Sequence, residues 1–256
     1  MSLFLNHSRP LITTMLKSDN TKDIIEEIKR AKSEGTDAFC LEIELLNTKS
    51  RNASDFRDIF SAMEEKPAYI TDYRRGNIND YEQTDDELTE EMLLALSCGA
   101  KLFDVRGDLF DVQPEELTKN EKAVEKQTEL IKEVHRLGGE VIMSSHTLSY
   151  LPPEKVLEMA KEQQSRGSDI CKVVTAANSL EELNKNFEAT MLLKNNLEKQ
   201  SLFLCIGDYC KPHRMTGPVI TNSLYLCVAE GVSVVNQPSM SSAKALMKAC
   251  GYTDLP

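Results

Sequence analysis

Short apolar segments rich in β-branched and aliphatic side chains recur along the chain at intervals of about 30 residues. Apolar runs of this length, separated by polar stretches, predict buried β-strands. The predicted strands are 11–15, 38–43, 67–71, 101–105, 140–144, 169–174, 201–206 and 232–236. The spacing therefore predicts eight parallel strands, each followed by a helix.

The stretches between these strands carry apolar residues at helical spacing. Thr84 followed by Glu87 predicts a capped helix start, and Gly35 and Gly99 predict helix ends. The predicted helical stretches are 24–35, 84–99, 119–139, 152–167 and 179–196. Eight such units in 256 residues predict a single-domain (β/α)8 barrel over 1–256. The alternative, an open doubly wound sheet, favours a glycine-rich loop after the first strand, and the segment 15–23 contains no glycine.

Charge and hydropathy narrow the class of partner. The chain has 30 Lys and Arg against 41 Asp and Glu, a formal net charge of −11. This balance argues against nucleic acid or an anionic membrane as the main partner, because both require a basic surface. No apolar run approaches the roughly 18–20 residues of a membrane span, and the N-terminus does not resemble a secretory signal. We therefore expect a cytoplasmic protein that acts on a small molecule.

The seven cysteines suit a reducing compartment. No CxxC pair occurs, and most of the cysteines lie in apolar runs, where a thiol behaves as a small hydrophobic group. Cys205 and Cys210, followed by His213, do not have convincing spacing for a zinc site. The sequence predicts no metal.

Lys172 lies in the middle of a predicted buried strand, in the segment 169–174. A buried ammonium is costly unless it is paired or its pKa is lowered. A desolvated lysine inside a barrel suits imine formation with a carbonyl substrate, because only the free amine is nucleophilic. The alternative is a structural role, with Lys172 facing the outer helices or pairing with a carboxylate.

His146 ends the preceding strand, on the same predicted face as Ser144. Its pKa, ordinarily near neutrality, suits proton transfer beside an imine lysine, although a histidine at a strand end can also serve only as a hydrogen-bonding residue. Glu42 and Glu44 are two residues apart, so we expect both to point either into the barrel or to a solvated edge.

Further polar residues follow other strands near their carboxyl ends, where barrel active sites are built. Arg214 follows the seventh strand, and Ser233, Asn236 and Gln237 are predicted on or after the eighth. Such a cluster suits a carboxylate or phosphate group.

The segments 143–146 (MSSH) and 170–178 (ICKVVTAAN) resemble the histidine and lysine strands of the type I 3-dehydroquinate dehydratases. These are (β/α)8 enzymes of the shikimate pathway of aromatic amino acid biosynthesis. The resemblance extends over essentially the whole chain in the order and spacing of its elements. It implies that Lys172 forms an imine with the substrate and that His146 is the general acid and base.

The same resemblance implies a set of substrate-binding residues. Arg214 would hold the substrate carboxylate, Ser233 and Gln237 would close over the substrate, and Glu42 would contact a ring hydroxyl. Thr14 lies where the family has a small hydroxyl residue. The substrate would be a cyclic hydroxy keto acid. The resemblance also implies a homodimer and no cofactor, because the lysine itself supplies the electron sink.

Three positions depart from the family pattern. Glu44 and Tyr73 stand where the family has arginines, and Arg106 stands where it usually has an acid. Arg75, two residues after Tyr73, could supply the missing charge. We therefore expect Glu44 and Arg106 to form a charge-swapped pair. The departures leave two alternatives: an imine-forming lyase or aldolase acting on another hydroxylated keto acid, and a catalytically silent barrel that binds a carboxylate.

Overall fold

The computed structural model describes residues 3–5, 7–74 and 83–256. Within these residues, eight parallel strands alternate with eight α-helices. The strands are β1 (Leu11–Leu16), β2 (Ala38–Glu42), β3 (Ala68–Thr71), β4 (Leu102–Arg106), β5 (Glu140–His146), β6 (Ile170–Ala176), β7 (Gln200–Ile206) and β8 (Leu224–Cys227). The helices are α1 (Thr21–Glu34), α2 (Ala53–Met63), α3 (Asp85–Cys98), α4 (Glu121–Arg136), α5 (Pro153–Ser165), α6 (Leu180–Asn196), α7 (Lys211–Thr221) and α8 (Met240–Ala249).

The strands are hydrogen-bonded in the order β8-β1-β2-β3-β4-β5-β6-β7, so the sheet curls into a nearly closed barrel. The predicted (β/α)8 barrel is confirmed. All strands run in the same direction, and their carboxyl ends therefore gather at one mouth, where the connecting loops meet. None of the helices in the described part of the chain is both long and apolar enough to cross a bilayer.

The predicted eighth strand over 232–236 is wrong. β8 is Leu224–Cys227, which is wholly buried and pairs with β1. The segment 232–236 lies in the loop between β8 and α8, where Val235 is 84% exposed. The apolar pattern misled because a four-residue strand is too short to stand out from a neighbouring apolar loop. Ser233 and Gln237 are accordingly loop residues.

The predicted helix boundaries agree with the local chemistry. Thr84 and Glu87 form the expected capping box at the start of α3. Gly35 ends α1 with φ of 81°, in the left-handed region that glycine adopts readily. These local signals act within a few residues, which is why the sequence alone revealed them.

Alternate residues of each strand point either outwards to the helices or inwards to the barrel axis. One face packs against the helices, and the other fills the barrel interior. The interior core is Phe4, Leu11, Ala38, Cys40, Tyr69, Leu102, Ile142, Ile170, Val174, Leu202, Leu204, Leu224 and Leu226. Polar side chains interrupt this apolar filling towards the mouth, and they define the candidate site.

Candidate active site

Lys172 lies inside the barrel, between Ile170 and Val174 of the interior core, and is only 5% exposed. Its Nζ donates hydrogen bonds to the hydroxyls of Tyr69, at 2.9 Å, and Tyr73, at 2.7 Å. The Oδ2 atom of Asp104 lies 3.4 Å from the same nitrogen. The lysine therefore does not snorkel towards the helices but is held in a polar cage.

Asp104, on β4, is the centre of that cage and is itself buried. Its Oδ2 accepts hydrogen bonds from Tyr69 and, at 2.5 Å, from Tyr73, and its Oδ1 accepts one from Ser144 at 2.5 Å. Burial, reinforced by the charge of Asp104, holds the pKa of both phenols well above the ordinary value. Both tyrosines are therefore neutral hydrogen-bond donors.

His146 ends β5, and its ring lies at the mouth, one strand away from Lys172. Its Nδ1 and its main-chain nitrogen lie 2.8 and 3.0 Å from Oε2 of Glu116. Burial and the charge of Lys172 lower the pKa of His146 below its ordinary value, against the opposing effect of Glu116. The imidazole is thus favoured in the neutral form, with Nδ1 donating to Glu116 and Nε2 able to accept a proton.

Glu116 comes from the loop between β4 and α4, and its carboxylate is buried. Burial raises its pKa, but the bonds from His146 and the charge of Arg106 outweigh that effect and bring the pKa to about 2. Its φ of 51° is unusual for a residue with a side chain. Strain of this kind persists only where surrounding contacts impose it.

Arg106, at the end of β4, does not pair with Glu44 among the described residues. Its Nη2 donates to Oδ1 of Asp108 at 2.7 Å and lies 3.6 Å from Oε1 of Glu116. Its Nε and Nη1 are buried without a partner in the described part of the chain. The expected charge-swapped pair is therefore absent, and Arg106 instead supports the carboxylate that holds His146.

Glu42 and Glu44 diverge because β2 ends at Glu42 and a short 3-10 helix follows, so strand alternation no longer applies. Glu42 forms an ion pair with Lys17. Glu44 is buried and accepts hydrogen bonds of 3.0 and 3.1 Å from Thr71 Oγ1. Burial, together with the charge of Glu42, raises the pKa of Glu44 to about 8.

Arg214, Ser233 and Gln237 line one cavity of about 530 Å³, together with Lys211. Arg214 lies in the first turn of α7 and is largely buried, and its Nε donates to the carbonyl of Cys205 at 2.5 Å. Its two terminal nitrogens have no partner among the described residues, which leaves them available to an anion.

One predicted site residue, Thr14, does not lie at the mouth, and another falls outside the described residues. Thr14 has the parity of Ile12 and Leu16, faces the helices, and donates to Thr36 Oγ1 at 2.8 Å. Arg75 lies outside the described residues. No group of residues that could hold a metal ion occurs in the ranges that the structure describes.

Sequence reasoning missed Tyr69, Asp104 and Glu116 as site residues. Asp104 carried a usable signal, a charge inside an apolar strand, like the one that revealed Lys172. The sequence pattern around Tyr69 is that of an ordinary core residue. The pattern around Glu116 is that of a surface acid in a polar loop. Only the fold brings Glu116 to His146.

A parallel barrel with a caged lysine and a carboxylate-bound histidine at its mouth is the architecture of an enzyme rather than a binding scaffold. The sequence model of the type I 3-dehydroquinase family matches residues 12–254. The chain belongs to this family.

Individual relatives are distant. The 3-dehydroquinate dehydratase of Alkaliphilus oremlandii is 26% identical over 121 residues, which cover 46% of this chain. The matched region spans only 48% of that protein.

Among solved structures, the type I 3-dehydroquinate dehydratase of Clostridium difficile with covalently modified comenic acid aligns with a TM-score of 0.81 at 19% identity. The alignment covers 95% of this chain and 93% of that one. The Geobacillus kaustophilus 3-dehydroquinate dehydratase aligns at 0.82 and 13% identity, covering 97% and 98%. At these identities the likeness shows the fold.

Proposed function

We propose that this protein dehydrates 3-dehydroquinate to 3-dehydroshikimate through an imine at Lys172. One observation carries the proposal: in a chain of this family, a buried lysine lies one strand away from a histidine whose Nδ1 is held by Glu116. Enzymes of this kind need a nucleophilic amine and a separate proton carrier, and these two residues can supply them.

Lys172 attacks the ring ketone, and loss of water gives an iminium ion that acidifies the neighbouring C–H bond. His146 takes this proton through Nε2, since Nδ1 is engaged with Glu116. The resulting enamine expels the β-hydroxyl, which leaves as water with the proton held by His146. Hydrolysis of the imine then releases the conjugated product and restores Lys172.

The cavity lined by Arg214, Ser233 and Gln237 is proposed to bind the substrate carboxylate. The two unpartnered nitrogens of Arg214 form a planar fork that suits a carboxylate. We propose that Arg75 supplies the charge missing at Tyr73 and that Glu42, as the family resemblance implies, contacts a ring hydroxyl of the substrate. Glu44 would do so as a neutral acid, because its pKa is raised to about 8.

A second candidate is an imine-forming lyase acting on another hydroxylated keto acid. The contacts of Glu44 and Tyr73 favour it. These residues stand where the family has arginines, yet Glu44 bonds to Thr71 and Tyr73 bonds to Lys172 and Asp104. A site with fewer cations around the ring would accept a substrate with a different set of oxygens.

The test is the ultraviolet absorbance of the conjugated enone after 3-dehydroquinate is added to the wild type and to Lys172→Ala. We expect the signal to grow with the wild type alone, with Lys172→Ala slower by at least about 10³-fold. Lys199→Ala, at an exposed lysine that follows α6, is the matched control and should keep wild-type activity. A silent wild type would exclude 3-dehydroquinate as the substrate and leave the second candidate.

We also propose, on the family resemblance, that the protein is a homodimer in the cytoplasm, acts in the shikimate pathway and needs no cofactor.

A further inference from the structure

Two phenols connect Lys172 to the same carboxylate oxygen. The hydroxyl of Tyr73 lies 2.7 Å from Lys172 Nζ and 2.5 Å from Asp104 Oδ2. Tyr69 makes the same two contacts, at 2.9 Å from the nitrogen. The direct separation between Nζ and Oδ2 is longer, at 3.4 Å. A proton moving from the lysine to the carboxylate through Tyr73 therefore crosses two hydrogen bonds, each of them shorter than the direct gap.

The two tyrosines differ in their access to the mouth. Tyr69 is fully enclosed in the interior core, whereas Tyr73 lies two residues past the end of β3, towards the mouth, and is only half-buried. The ring of Tyr73 meets the ring of His146 edge-on, with centroids 5.0 Å apart. A carbonyl substrate must reach Lys172 from this side, so Tyr73 is the phenol that its oxygen would meet.

We propose that Tyr73 is a further catalytic residue, which relays protons between Lys172, Asp104 and the substrate oxygen while the imine forms and hydrolyses. This inference rests on the proposed imine chemistry at Lys172. It assigns a role to a residue that stands where the family has an arginine.

In this relay, Asp104 takes up a proton before the attack and returns it when water leaves. The ammonium of Lys172 gives a proton to the hydroxyl of Tyr73, which passes its own proton to Asp104 Oδ2, leaving a free amine and a neutral carboxylic acid. The amine adds to the carbonyl, and a proton moves from nitrogen to oxygen to give a carbinolamine. Asp104 then returns its proton through Tyr73 to the carbinolamine hydroxyl, which leaves as water. The product is an iminium cation beside the restored carboxylate.

The surroundings hold this relay in place. Ser144 donates to Asp104 Oδ1, which fixes the carboxylate while leaving Oδ2 to the phenols. After the attack, the carboxylate that faced the ammonium faces the iminium instead.

The experiment measures the rate of imine formation directly. The protein is mixed with 3-dehydroquinate, or with glyoxylate as a small aldehyde acid, and cyanoborohydride traps the iminium as a stable adduct on Lys172 that mass spectrometry quantifies. We expect Tyr73→Phe to slow adduct formation about 100-fold, with a change in KM of less than about 3-fold. Tyr69→Phe, the matched variant, should slow adduct formation only about 5-fold, because the hydroxyl of Tyr69 cannot reach the substrate oxygen.

Asp104→Asn provides a second test, since an amide cannot accept the relayed proton. We expect Asp104→Asn to slow adduct formation by a similar factor. The double variant Tyr73→Phe with Asp104→Asn should form the adduct no more slowly than the slower single variant, because both residues act in one relay. Losses that multiply in the double variant would show that the two side chains do not act in one relay.

The outcomes separate this inference from the proposed function. If the wild type traps glyoxylate but not 3-dehydroquinate, the proposed substrate is wrong and the relay is still tested by the glyoxylate rates. If the wild type traps 3-dehydroquinate and Tyr73→Phe traps it equally fast, or if both tyrosine variants lose the same factor, the relay is wrong. If the wild type traps neither compound, both proposals fail.

Discussion

At the scale of single residues, the site depends on which hydrogen bond each polar side chain makes. His146 is useful as a base only if one ring nitrogen is free and the ring is fixed. Glu116 achieves both, because it accepts from Nδ1 and from the main chain of the same residue. A carboxylate in this position also raises the basicity of the imidazole, against the opposing effects of burial and Lys172.

Replacing Glu116 by Gln tests this arrangement. Without the carboxylate, the pKa of His146 falls further, so the acidic limb of kcat/KM should move to lower pH, because the base must be neutral to act. The plateau should fall by about 10- to 100-fold, since the imidazole becomes less basic and less well oriented. The pH profile of kcat/KM for 3-dehydroquinate is the measurement.

Glu115→Gln is the matched control. This neighbouring acid is exposed and pairs with Lys155 at 3.5 Å. We expect its pH profile to match the wild type. An acidic limb that stays in place in Glu116→Gln would show that Glu116 does not set the basicity of His146.

At the scale of elements, the loop of residues 107–120 between β4 and α4 carries the decisive carboxylate. The loop is held from beneath by two helices. Arg166 donates to the carbonyl of Gly107 at 3.1 Å and to Gln127 Oε1 at 2.7 Å. Gln127, on α4, donates to the carbonyls of Gly107 and Leu109. These buried donors leave the loop little freedom, which explains how it tolerates the positive φ of Glu116.

The close approach at Gly107 provides a test of this support. A Cβ there would lie 2.5 Å from the carbonyl oxygen of Glu116 and 2.9 Å from Ser145 Oγ. Gly107→Ala should therefore displace Glu116, lower kcat by about 10- to 100-fold and cost about 1–3 kcal/mol of stability. Steady-state kinetics and urea unfolding are the measurements.

Gly139→Ala separates the two effects. It creates similar steric clashes, because a Cβ at this position would lie 2.9 Å from the side chains of Leu96 and Val134. These clashes are at the amino end of β5, away from the mouth. It should lose stability and keep kcat. If Gly107→Ala loses stability but keeps kcat as well, the loop does not position the base.

At the scale of the whole molecule, a buried histidine outside the site couples stability to pH. His213, on α7, is fully buried between Phe187 and Phe203, and its Nε2 lies 2.7 Å from Thr190 Oγ1. Its Nδ1 has no partner among the described residues. Burial, reinforced by the charge of Arg214, lowers the pKa of His213 to about 3.

A native pKa below the unfolded value of about 6.5 means that the unfolded chain binds a proton first as the pH falls. The contribution of His213 to stability is therefore complete above about pH 6.5 and is lost progressively towards pH 3. Between pH 7 and pH 5, the wild type should lose about 2 kcal/mol more of its free energy of unfolding than His213→Gln does. Urea unfolding at several pH values measures this difference.

His7→Gln, at a partly exposed histidine near the N-terminus, is the control and should retain the wild-type slope. Equal slopes in the wild type and His213→Gln would show that His213 is not the group responsible.

Local sequence patterns were enough to predict the fold class and to single out the two residues at the centre of the proposed site. Strand spacing near 30 residues predicts the barrel, because the hydrophobic periodicity of each strand and helix is visible within a few neighbouring residues. Lys172 and His146 stand out because a polar side chain in an otherwise apolar strand is costly and therefore conspicuous.

The remaining features depend on contacts between residues that are far apart in the chain. The position of β8 depends on pairing with β1, more than 200 residues away in the chain. The bonds of Glu116 to His146 and of Tyr73 to Lys172 join different loops and strands, and each acid or phenol is unremarkable in its own segment. A local sequence pattern indicates whether a side chain is buried. Which partner the side chain contacts depends on the long-range packing that closes the barrel.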